Sequence, residues 1–294
     1  MVRPDDVTIG FVGAGVLGSG LALALSAAGW RVDAIASRTH ASAERVASLI
    51  DGCAALESAQ RVADACDLVF ITTPDSAISA VAGSVRWRQD QGVTHCCGAA
   101  STELLASAQD TGAAVGAMHP FQTFAAIAGP DQAAERLQGV TFAVSATGWL
   151  AEFLPKLAAS LGGSGIAIPE GMRPLYHASA VLSCGYLATL LDAAVGLWTS
   201  MGFAQEDGIR AAVPLARATI EAIERQGPGN AVTGPVVRGD ADTVAAHLEL
   251  LSQHAAHLLP LYRQLTEASL PLARAKGIAE PQLAQLRRTI GAPD

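Results

Sequence analysis

Apolar and polar positions follow a clear succession between Val7 and Arg38. Val7–Ile9 and Phe11–Val12 form an apolar run, the pattern of a strand buried on both faces. Gly13-Ala14-Gly15-Val16-Leu17-Gly18 comes next, then the helical run Leu21–Ala28, closed by Gly29, and a second apolar segment, Arg31–Ala36. Further apolar runs predict strands over Asp67–Thr72, Gly92–Cys97, Ala113–Met118, Val140–Val144 and Gly165–Ile168. Helical patterns lie between them at Ala41–Ile50, Ser76–Ser84, Ser101–Ala108 and Trp149–Leu161. Strands alternating with helices predict a mostly parallel sheet. From Gly171 onward the pattern is helical only, over Met172–Met201, Gln205–Gln226, Asp240–Ser252 and His254–Lys276. Pro260 and Pro271 are expected to kink or divide the last of these. The expected organisation is an α/β unit over residues 1–169 and an all-α unit over residues 170–294, meeting near Pro169-Glu170-Gly171.

The glycines of the first turn carry the first chemical signal. A strand, a GxGxxG turn, a helix and a second strand within about 30 residues is the context of a dinucleotide site. In that reading Gly13 turns the chain tightly, Gly15 lets a pyrophosphate approach the backbone, and Gly18 lets helix and strand pack closely. Ala14, Val16 and Leu17 complete the loop, and the diphosphate would sit on the free N–H groups at the helix start. The second strand ends in Ser37-Arg38-Thr39, with no acid at its tip to accept from a ribose 2′-OH. Arg38 can hold a 2′-phosphate in a charge-assisted contact, with Ser37 and Thr39 donating hydroxyls, so NADP(H) is the expected cofactor. Thr72, Thr73, Pro74 and Gly98 follow later strands and should border the same ligand-binding edge.

Composition narrows the class. The chain has 294 residues, half of them hydrophobic and 16% charged, which suits a large core. A net charge of −8, with no Lys/Arg run, speaks against a nucleic-acid binder. The start MVRPDDVTIG has no basic region followed by an apolar one, so no signal peptide is expected. The run Ala178–Trp198 contains Asp192 and small polar residues, and reads as a buried or dimer-forming helix rather than a membrane span. Five cysteines without a CxxC pair suit a reducing cytoplasm. His247, His254 and His257 have no carboxylate at matching spacing, and no metal site is expected.

Reduction of a C=O or C=N bond needs a group that polarises or protonates the acceptor heteroatom. His119 is placed at a strand end immediately before Pro120, and His177 one turn into the long helix. Arg238 could clamp a carboxylate, and Ser101 could donate to a substrate or cap its helix. Asp240 is expected to cap the helix that follows it.

Four segments add a resemblance: HCCGAAS (His95–Ser101), MHPFQTF (Met118–Phe124), LYHASAVLSCGYLATLL (Leu175–Leu191) and TGPVVRGDADTVAAHL (Thr233–Leu248). With the glycine turn, they resemble Rossmann-like proteins carrying the C-terminal domain of unknown function (DUF) 2520. That family lies in the 6-phosphogluconate-dehydrogenase-like superfamily, with pyrroline-5-carboxylate reductase, 3-hydroxyisobutyrate dehydrogenase and ketopantoate reductase as relatives. The resemblance covers nearly the whole chain and implies an NADP-dependent oxidoreductase acting on a small carboxylated keto or imino compound. It also implies a homodimer built on the C-terminal helices. Where the family carries Asn in a SNYL-like segment, this chain has Cys184-Gly185-Tyr186. That departure keeps a second class open, a catalytically silent NADP(H)-binding sensor or scaffold.

Overall fold

A computed structural model describes residues 7–292. The segment 1–6, on which the signal-peptide reading falls, lies outside the described residues. Eight strands form one sheet: β1 Thr8–Val12, β2 Arg31–Ala36, β3 Ala54–Leu56, β4 Leu68–Ile71, β5 Gly92–His95, β6 Ala114–Pro120, β7 Thr141–Ala146 and β8 Ser164–Ala167. Their order is β3-β2-β1-β4-β5-β6-β7-β8. All neighbours are parallel except β6 and β7, which are antiparallel.

The central strands carry no polar alternation because both faces are covered. Leu68–Ile71 is buried throughout, and Phe11 stacks on Phe70 with ring centroids 5.2 Å apart. The helices of this unit are α1 Val16–Ala27, α2 His40–Ala47, α3 Ala59–Ala65, α4 Ile78–Ser84, α5 Ala106–Gln109, α6 Pro130–Arg136, α7 Leu150–Ser160 and α8 Arg173–Ser183. Two apolar cores result, one on each face of the sheet.

The C-terminal unit is helical: α9 Gly185–Ser200, α10 Gln205–Gln226, α11 Pro228–Ala231, α12 Ala241–His254, α13 Leu259–Ala275 and α14 Glu280–Ile290. Its core joins Val244 and Leu248 of α12 to Leu270 and Ala273 of α13 and to Leu283, Leu286 and Ile290 of α14. Asp240 caps α12, its Oδ1 accepting from Thr243 N at 3.0 Å. Pro260 stands in the first turn of α13 instead of kinking it, since a first-turn residue has no helical N–H bond to lose. Pro271 lies inside that helix, which runs through it.

The structure corrects two expectations of organisation. The segment Met172–Met201 is two helices, because Cys184 leaves helical geometry at φ −123°, ψ −74°. By internal contacts the chain divides between Cys184 and Gly185, so α8 belongs to the sheet unit rather than to the helical one. By length and composition Arg173–Ser200 could cross a membrane. The departure from helical geometry at Cys184 falls inside that stretch and divides it into segments of 11 and 16 residues.

Candidate active site

The glycine turn is held as the sequence requires. Gly13 has φ +120°, and a Cβ there would lie 2.7 Å from the carbonyl carbon and oxygen of Thr72. A Cβ on Gly18 would run into Gly13 O and Thr72 Oγ1. Thr72 Oγ1 donates to Gly13 O at 2.8 Å, and Gly13 N donates to Ala36 O at 2.8 Å. The turn is thereby tied both to the tip of β4 and to the tip of β2, where Ser37-Arg38-Thr39 begins.

Gly15 differs in kind, because a Cβ there would meet nothing within 4 Å. It caps α1 with no side-chain hydrogen bond, and no acid occupies the first turn. The first N–H groups of a 12-residue helix therefore face an open cradle beside Ala14, Val16 and Leu17. Arg38 is exposed and makes no ion pair or hydrogen bond among the described residues, and Thr39 heads α2 with its hydroxyl uncommitted to the cap. Thr73 Oγ1 is buried without a partner, and Pro74 is exposed beside it. This cradle fits a dinucleotide: free amides for a diphosphate, a free guanidinium at the β2 tip, and an unsatisfied hydroxyl at the β4 tip.

The histidine end of the site departs from expectation in one respect. His119 lies within β6 rather than beyond it, because antiparallel β7 extends the pairing to His119↔Ala143 and Pro120↔Phe142. On its other flank β6 is paired with β5 only as far as Ala117. Pro120, lacking an N–H, stands where that flank has no ladder bond to lose. The open flank is where other groups reach His119. Its Nδ1 lies 2.8 Å from Tyr176 Oη, and its ring centroid lies 6.1 Å from that of His177.

Gly98 makes this approach possible. A Cβ there would lie 2.6 Å from His177 Cδ2 and 2.9 Å from His119 Nε2. It thus seats the two histidines in addition to the role expected of it at the cofactor edge. Burial, then the charge of Arg173 and the neighbouring His177, push His119 down to about 4, so its imidazole is neutral at pH 7.

The other candidates fall elsewhere. Ser101 caps the 3-10 turn Thr102–Leu105, its Oγ accepting from Glu103 N at 3.3 Å. Its carbonyl oxygen lies 3.0 Å from Nε2 of buried His95, and Nδ1 of that ring accepts from Cys97 N at 3.1 Å. These bonds fix the His95 tautomer and tie the end of β5 to the loop. Arg238 is exposed in the 3-10 turn Val236–Arg238 of the helical unit. Gly185 opens α9, and a Cβ there would meet nothing within 4 Å, so packing does not demand glycine.

Four participants were not among the sequence candidates. Tyr176 meets His119 together with His177, Arg173 is anchored to Cys97 O and Ser145 Oγ on either side of β6, and Cys97 Sγ donates to Asp75 Oδ2 at 3.1 Å. The readable signal was R-x-x-Y-H, since residues three and four apart share one face of a helix.

A mostly parallel sheet with a glycine turn at its ligand edge, followed by a helical unit, defines a Rossmann-type protein. Residues 1–120 match the family model for the Rossmann-like domain, and residues 140–269 match that for a domain of unknown function, DUF2520. The chain belongs to the Rossmann-like proteins that carry this C-terminal domain. No curated protein matches it. Solved structures share the fold. A protein from Thermotoga maritima is 21% identical with TM-score 0.72, covering 91% of this chain and 99% of its own. A Plasmodium falciparum pyrroline carboxylate reductase with NADP bound is 12% identical with TM-score 0.58, covering 94% and 100%. A reductive aminase from Aspergillus terreus, in complex with NADPH and ethyl-5-oxohexanoate, is 16% identical with TM-score 0.60, covering 97% and 92%.

Proposed function

We propose that the protein is an NADP(H)-dependent oxidoreductase that reduces a small carboxylated keto or imino compound. The observation that carries this reading is the presence of His119, with Tyr176 and His177, on the sheet edge that also bears the open glycine cradle. Two of the structural relatives hold NADP or NADPH, and their names are those of a pyrroline carboxylate reductase and a reductive aminase, which supports the cofactor and the substrate class.

The amides of Gly15-Val16-Leu17 hold the diphosphate, and Arg38 with Ser37 and Thr39 holds the 2′-phosphate. When bound, the reduced nicotinamide supplies a hydride. The protein's part is to fix the acceptor and stabilise charge on its heteroatom. His119, being neutral, does this as a hydrogen-bond donor rather than as an imidazolium. Tyr176, held at its Nδ1, fixes the ring's orientation.

The competing reading is a silent NADP(H)-binding sensor or scaffold, favoured by Gly185 at a position with room for a larger side chain. Steady-state NADPH oxidation over a panel of 2-keto acids and cyclic imines separates the two. Turnover supports the reductase, and tight cofactor binding without any turnover supports the silent binder.

Arg38→Ala is expected to weaken NADP(H) binding by on the order of 1–3 kcal/mol while barely changing NAD(H). Calorimetric titration of both cofactors checks this, and equal losses would remove Arg38 from the 2′-phosphate site.

The α9–α10 hairpin supports a homodimer. In the 22-residue α10 only Gly208 is buried, and in α9 only Val195. Tyr186, Val213, Leu215 and Ile220 are exposed, Leu215 at 71%. Such a face is too apolar to stay in water, and a second copy with the same face is the proposed occupant. Light scattering at micromolar concentration should give twice the chain mass, and a monomeric mass would sink the proposal.

A further inference from the structure

Arg173 is 3% exposed, yet among the described residues no Asp or Glu pairs with it. Its Nη2 donates to Cys97 O at 2.8 Å and its Nη1 to Ser145 Oγ at 3.2 Å, while Nε is buried without a partner. Removing a guanidinium from water without a counter-ion is strongly unfavourable, so the position calls for an explanation.

The geometry gives one. Cys97 follows β5 and Ser145 lies on β7, so the side chain reaches across β6, the strand between them that carries His119. The same helix face brings Tyr176 and His177 to that histidine. The titratable groups around the guanidinium are His95, His119, Cys96, Cys97 and Tyr176, with His177 beside His119. The nearby carboxylate, Asp75, accepts the Cys97 thiol. Burial raises both thiols and pushes Tyr176 up to about 12, so none of these supplies an anion near neutral pH.

We propose that Arg173 is a positioning residue of the site: clamped across β6, it sets a positive charge with no ion-pair partner beside His119 and makes this edge a receptor for an acceptor group that is anionic or gains negative charge during reduction. The inference rests on the reading of His119 as the group that meets the acceptor. A guanidinium keeps its proton even where burial lowers its proton affinity. Its charge opposes a second positive charge on the imidazole next to it, and together with burial keeps that ring a neutral donor. Negative charge developing at the acceptor offsets the same charge, so the favourable interaction grows as the reaction proceeds.

The test is a nuclear magnetic resonance titration of the His119 ring in the full chain, its signal assigned by its loss in His119→Gln. The wild-type ring should titrate near 4. Arg173→Gln should raise the midpoint so that His119 protonates about tenfold more readily or better. Arg173→Lys, which keeps the charge but cannot span both anchors, should leave it near the wild-type value. Ser145→Ala, which loosens the clamp and keeps the charge, should do the same.

The proposal is overturned if Arg173→Gln leaves the midpoint in place, or if Ser145→Ala moves it as far as Arg173→Gln does. Should the glutamine variant not fold, the lysine variant decides: a midpoint near the ordinary 6.5 overturns the proposal. His119→Ala with undiminished turnover would sink the reductase reading and leave these midpoints untouched. Unmoved midpoints would sink the role of Arg173 and leave turnover to be judged separately.

Discussion

His119→Ala is expected to lower the rate of NADPH oxidation about 10²–10⁴-fold while cofactor affinity stays nearly intact. The two effects separate because His119 lies on β6, whereas the glycine turn joins β1 to α1 and is held by the tips of β2 and β4. Removing the imidazole takes away the donor at the acceptor heteroatom and leaves the phosphate cradle whole. The loss should therefore appear in kcat and kcat/KM together, the mark of an interaction made mainly in the transition state. Tyr176→Phe should reproduce a smaller part of it, since the ring stays but its orienting bond at Nδ1 is gone. Steady-state kinetics with a calorimetric cofactor titration on the same samples checks both. Unchanged turnover in the alanine variant would place the chemistry elsewhere.

The glycine turn yields the second large effect, and two substitutions in it should part company. Gly13→Ala introduces a Cβ 2.7 Å from the Thr72 carbonyl, a backbone group that no rotamer change can move aside, at φ +120°. It should lower the stability of the sheet unit by about 2–4 kcal/mol. NADP(H) binding should fall with it, because the turn cannot keep its shape. Gly15→Ala meets no protein atom and should leave thermal unfolding unchanged, yet weaken NADP(H) about tenfold or more by filling the space a diphosphate needs. Thermal unfolding and cofactor titration of the two variants check the contrast. A Gly15→Ala protein with wild-type affinity would mean that the open cradle is not where the cofactor lies.

Much of the sheet unit was legible because its signals are local. The run Val7–Val12, the glycines and Arg31–Ala36 lie close together, and each has one physical use. The α10 helix falls at Gln205–Gln226, where an unbroken helical pattern is bounded by turn residues. β3 escaped because it is three residues long and half exposed, with too little apolar run to register. α14 carries a legible signal in the sequence, since Leu283, Leu286 and Ile290 mark one helical face.

The break at Cys184 has no proline to announce it, and apolar composition runs straight across. Composition alone does not divide that stretch, and the change from alternating to purely helical pattern points to Pro169 instead. Arg173 was passed over because a charged residue at a helix start ordinarily faces water. Only the strands brought in from Cys97 and Ser145 show that this one is buried.

Because α8 belongs to the sheet unit, the order in which the chain is made matters. His119 and Tyr176 are 57 residues apart. At about 5–20 residues per second, dividing 57 by each rate means that Tyr176 is synthesised roughly 3–11 s after His119. During most of that interval His119 lacks the helix that orients its ring, and Arg173 does not yet exist. A chain stopped at Pro169 would possess the whole sheet and the glycine cradle but none of the three α8 residues. On the proposed function, the groups read for the nucleotide and those read for the acceptor are therefore completed at different moments of synthesis, with α8 the last piece of the sheet unit to arrive.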